Sequence, residues 1–84
     1  MTYNGHPSYN YWNVSLWIGN DEGLYNLALD CIRHTRTRQL AAEQFISNLL
    51  ESGWKHHGKH GEITTPDGAP WTTASVIHGM GGLI

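Results

Sequence analysis

The sequence predicts a small, mainly α fold in which residues 1–84 form one helical bundle. Three observations carry this. Between Asp21 and Ser52, apolar residues recur three and four positions apart in two successive runs, the period of helices with one buried face. Capping residues stand where those runs begin, and Gly53 stands where the second ends. Four Trp, four Tyr and one Phe supply large apolar side chains at a length where burial is otherwise marginal.

Residues Met1 to Asn10 contain Gly5, Pro7 and two Asn, and read as an extended arm laid on the core by Tyr3 and Tyr9. From Trp12 to Tyr25 the chain is at its densest in large apolar groups, interrupted only by Gly-Asn-Asp-Glu-Gly. Residues 11–18 fit two patterns. Trp12, Val14, Leu16 and Ile18 alternate as in a strand, yet an N-cap at Asn13 and a stop at Gly19-Asn20 make a short helix. The helix is preferred, because Gly-Asn directly ahead of a second helix is a common joint. The alternative is an α+β fold with a short strand pair from residues 11–18 and 62–65.

Asn20 or Asp21 caps the next helix, whose face is Leu24, Leu27, Ala28, Cys31 and Ile32. Asp21 and Glu22 suit the positive end of its dipole, and Arg33, His34, Arg36 and Arg38 the negative end. Thr35 or Thr37 caps a further helix ending near Ser52, with Leu40, Ala41, Phe45, Ile46, Leu49 and Leu50 as its apolar stripe. The short connection makes residues 21–52 an antiparallel helical hairpin. Trp54 to Asp67 is poor in aliphatics and reads as a loop, with a very short strand at Glu62 to Thr65 and a turn at Asp67-Gly68. Pro70 suits the first turn of a C-terminal helix carrying Trp71, Ala74, Ile77 and His78 on one face, closed by Gly79, Gly81 and Gly82. Leu83 and Ile84 are expected to tuck in.

Composition narrows function. Five Lys and Arg against seven Asp and Glu exclude a polybasic nucleic-acid binder. No apolar run approaches the roughly 20 residues of a membrane span. The N-terminal residues lack the basic and apolar regions of a signal peptide, so a cytoplasmic protein is expected. The single Cys31 excludes an internal disulfide framework and is expected in the core.

The clearest metal-like pattern is His56-His57-x-x-His60. Imidazole is a common ligand, but Gly58 and Gly61 oppose the helix that would align His56 with His60. A hydrated loop is the simpler reading, and no metal or cofactor is assigned. Asp21 and Glu22 are adjacent and explained by capping; Cys31 with His34 lacks an orienting acid; Gly79-x-Gly81-Gly82 follows a helix and has no lysine. No catalytic residue is assigned. Surface aromatics and arginines are the residue types enriched at interface hot spots, which favours binding over catalysis. The candidate contacts are Arg33, Arg36 and Arg38, followed by Lys55, His56, His57, Lys59 and His60.

The segment Trp12-Asn13-Val14-Ser15-Leu16-Trp17-Ile18-x-Asn20-Asp21-Glu22-x-Leu24-Tyr25 resembles a core shared by small proteins of phages, prophages and other mobile elements. The likeness is close over this stretch and loose over the following helix. A basic residue often found shortly before the tryptophan is missing; Asn10 and Tyr11 stand there. The resemblance implies a mobile-element origin and carries no catalytic residue. By analogy with anti-CRISPR proteins, it implies a non-enzymatic inhibitor that binds a host protein or ribonucleoprotein complex and occludes a nucleic-acid or subunit site. The alternative is a small nucleic-acid-binding regulator using Arg33, Arg36, Arg38, Lys55 and Lys59 as a phosphate-contacting rim.

Overall fold

The computed structural model describes residues 5–83. Four helices, α1 (Tyr9–Asn20), α2 (Glu22–Arg33), α3 (Arg38–Glu51) and α4 (Thr73–Met80), are followed by a 3-10 turn at Gly81–Leu83. The mainly α expectation holds. Each helix packs on its neighbour in sequence, and α1 packs on α4, so the four close into a ring around one core. That core holds Val14 and Ile18 of α1, Ala28 and Cys31 of α2, Ala42 and Phe45 of α3, and Val76 and Met80 of α4.

Residues 11–18 lie wholly within α1, so the strand reading of this stretch falls away. The helix also starts earlier than expected. Its N-cap is Ser8, whose hydroxyl accepts from the Tyr11 amide at 3.3 Å, and not Asn13. The expected arm therefore ends at Ser8, and its residues Met1 to Asn4 lie outside the described residues. Asp21 alone separates α1 from α2. Its amide donates to the Trp17 carbonyl at 3.0 Å, and its carboxylate accepts from the Leu24 amide at 3.0 Å. One residue thus ends one helix and begins the next.

The hairpin forms as expected, with α2 against α3. Thr37 is the N-cap of α3, while Thr35 turns back to donate to the Cys31 carbonyl at 2.8 Å. Gly53 ends α3 at φ +79°, a conformation that costs glycine least. The stripe on α3 is narrower than expected: Ala41, Ala42, Phe45 and Leu49 are buried, whereas Leu40 and Leu50 are exposed.

Between α3 and α4 the chain makes a minimal β meander. His57 pairs with Ile63 and Thr64 with Pro70, both antiparallel. The strand partner of residues 63–64 is this local turn structure rather than 11–18. Pro70 belongs to it, so α4 starts three residues later than its proline suggested, behind a capping box of Thr72 and Ser75. The later start makes Ser75, Val76, Gly79 and Met80 the buried face of α4; of the residues expected there, Trp71 precedes the helix and is itself buried, Ile77 and His78 are half-buried, and Ala74 is exposed. Gly79 is not a terminator. A Cβ there would lie 2.9 Å from Ile18 Cδ1, so the missing side chain lets α4 close on α1. Leu83 packs against the core; Ile84 lies outside the described residues.

Candidate partner-binding site

The α2–α3 connection gathers three of the five basic residues. Arg33 ends α2, Arg36 lies in the connection and Arg38 opens α3, and all three are exposed. Among the described residues none of the three guanidinium groups makes an ion pair; the nearby carboxylate of Asp30 is taken by His34 Nδ1 at 3.2 Å. Arg36 stands between two depressions. One, of about 480 Å³, is lined by His34, Thr35, Arg36, Leu40, Glu43, Gln44 and Ser47. A smaller one of about 150 Å³ has Arg36 and Arg38 on its wall with Ile32 and Ala41. Leu40, 47% exposed, gives the larger groove an apolar patch beside the cations. The guanidinium of Arg38 also reaches the end of α4, 3.9 Å from where a Cβ of Gly81 would stand.

Lys55, His56, His57, Lys59 and His60 do not join this corner. Arg38 begins α3 and these residues follow its far end; fourteen residues at about 1.5 Å each put about 20 Å between them. The histidines do not converge either. His56 lies edge-on to the Trp54 ring at 5.6 Å, while His57 and His60 are exposed. The loop is tied rather than free: Gly58 donates to the Glu62 carbonyl at 2.8 Å, and the His60 amide to the Glu62 carboxylate at 3.1 Å. Among the described residues no three His, Cys, Asp or Glu side chains converge to hold a metal ion.

Cys31 is buried, and its Sγ accepts from Asn48 Nδ2 at 3.9 Å. Burial, and then the charge of Asp30, push its thiol above the ordinary range. Such a thiol is a poor nucleophile at neutral pH. Asp30 contacts His34 at 3.2 Å, and both side chains are exposed.

Two polar arrangements link residues far apart in sequence and leave no mark in the periodicity. In the first, Asn13 and Trp17, one turn apart on α1, both donate to the same oxygen of Asp67 at 2.9 Å. The Thr65 hydroxyl donates to Asn13 Oδ1 and accepts from the Ala69 amide. The hydrogen bonds from Asn13 and Trp17 hold the Asp67 carboxyl below its usual range. In the second, His6 Nδ1 and His78 Nε2 lie 2.7 Å apart, with the Tyr11 ring 5.2 Å from that of His78. Burial, and then the neighbouring His6, lower the pKa of His78. The Asp67-Gly68 turn was the only sequence trace of the first; the second had none.

Among the described residues no helix is long and apolar enough to cross a membrane. No curated protein and no solved structure matches the chain. A family model matches residues 1–80, and the chain belongs to that family, described as a family of unknown function (DUF7249).

Proposed function

We propose that this chain acts by binding, as a mobile-element protein that docks on an acidic surface of a host defence complex in the host cytoplasm and blocks it. The observation that carries the reading is the arginine corner. Three exposed arginines cluster at the α2–α3 connection, Arg36 lines a groove that also holds an exposed leucine, and among the described residues no carboxylate pairs with the three guanidinium groups. Arginine on a rigid element presents a fork of donors suited to carboxylates, and a neighbouring apolar patch suits a protein surface. The mobile-element part rests on the resemblance of the Trp12 to Tyr25 segment. A CRISPR effector is the kind of complex this reading has in view.

The test is a plaque assay in cells whose CRISPR system targets the infecting phage, with copurification of the effector complex. Expression of the chain is expected to restore plaques and capture the complex, and R33A/R36A to lose both with its helical circular dichroism intact. No rescue against any defence system tried, with no captured complex, would overturn it. A second reading, a nucleic-acid-binding regulator, draws on the same three arginines. It predicts DNA or RNA retardation that weakens steeply with salt. Glu43 in the groove wall and the distance of Lys55 and Lys59 from the corner favour the protein partner.

A further inference from the structure

We propose that His6 and His78 form an acid-sensitive latch: neutral, they hold residues 5–8 on α4, and doubly protonated, they release that segment. The geometry carries it. A contact of 2.7 Å between Nδ1 of His6 and Nε2 of His78 accommodates one hydrogen, donated by one ring and accepted by the other. When both rings carry all their protons, two N–H donors and two like charges face each other with no acceptor between them. The rings are half-buried and meet edge to face at 5.0 Å, so water does not readily come between them.

Among the described residues the surroundings supply no counter-charge. Tyr11 is the titratable group that α1 brings to His78, and α1 has no Asp, Glu, Lys or Arg. The same four residue types are absent from α4. From α3, Arg38 reaches the end of α4 beside Gly81, and the charge it brings is positive. The α4–α1 seam next to His78 is fixed by Gly79 against Ile18, whereas residues 5–8 lie outside the helices. Its release has a defined consequence. Ser8 is the N-cap of α1, and losing it frays the first turn and uncovers Tyr11.

Nuclear magnetic resonance of the full chain, titrated between about pH 8 and pH 5, tests this by following both histidine rings and the backbone order of residues 5–8. With the second proton, order parameters of residues 5–8 should fall from about 0.85 to below about 0.6, while those of α2 and α3 stay unchanged. H78Q, which keeps a neutral donor and acceptor in place of Nε2, should hold the segment ordered throughout. Order retained in the natural chain, or lost over the same range in H78Q, would overturn the latch. Should H78Q leave the segment disordered at every pH, H6N is read by the same criteria. Should both do so, the natural chain decides: loss of order must coincide with the second proton of the pair, and loss at any other point overturns the proposal.

Discussion

Asn13 sits in the middle of α1 with 1% of its surface exposed, a place where a short amide ordinarily competes with the helix for hydrogen bonds. It is kept there by partners outside the helix: its nitrogen donates to Asp67 and its oxygen accepts from Thr65. Removing it leaves the proton of the buried Thr65 hydroxyl without an acceptor, with the Ala69 amide as that hydroxyl's remaining partner. N13A is therefore expected to lower the unfolding free energy by about 2 kcal/mol in urea, the cost of a buried polar group left without its partner. A loss under about 0.5 kcal/mol, the range of an ordinary surface change, would contradict this account. Asn13 was also the residue whose role was hardest to read. Capping chemistry makes Asn a natural helix start, and only the turn at Thr65 to Ala69, fifty residues away, reveals it as a helix interior residue. Asp21, Thr37 and Gly53 were legible for the opposite reason. A cap bonds within its own turn, so its partners are written beside it.

The helices divide along the same line. The apolar face of α2 was legible because Leu24, Ala28 and Cys31 repeat at helical spacing and are buried as that spacing requires. The face of α4 was not. Eight residues give little periodicity, and the register depends on where the helix begins, which the pairing of Thr64 with Pro70 decides. Its actual register brings Gly79 onto α1, where an added methyl would meet Ile18 Cδ1 at 2.9 Å with Ser15 Cα at 3.5 Å behind. Alanine is favoured over glycine in a helix by about 1 kcal/mol, but overpacking costs about 1–3 kcal/mol. Ile18 is wholly enclosed and has little room to swing aside. G79A is expected to destabilise by about 1 kcal/mol, read as a lower midpoint of thermal or urea unfolding. A stabilised variant would mean that the α1–α4 seam yields more easily than its geometry implies. The arginine corner was legible as a cluster, since its three arginines fall within the short run from Arg33 to Arg38; its separation from the histidine loop was not, because that depends on α3 lying between them.

At the scale of the whole molecule, acid acts through two long-range contacts. His78 has a folded pKa below its ordinary 6.5, so its contribution to stability is complete above about that pH and is lost as pH falls from there toward the folded value. Asp67 has a folded pKa below its ordinary 3.8, so its contribution is complete above that pH and is lost as pH falls through the depressed value. Unfolding midpoints in urea should therefore fall in two stages on acidification, one beginning near pH 6.5 and one below pH 3.8. H78Q should remove the first stage and D67N the second. A flat profile from neutral pH to pH 3.8 would show that His78 has the same proton affinity folded and unfolded.

The closing of α1 on α4 also bears on how the molecule comes to be folded. It is the most extensive helix–helix interface, and it joins the first helix of the chain to the last. Helical domains usually fold fast because their contacts are local, but this one must bring the two ends of its sequence together before the seam forms. The α2–α3 hairpin can assemble early, whereas Val14 and Ile18 stay uncovered until Val76 and Gly79 have been synthesised. During translation the apolar face of α1 thus stays uncovered until α4 has been made.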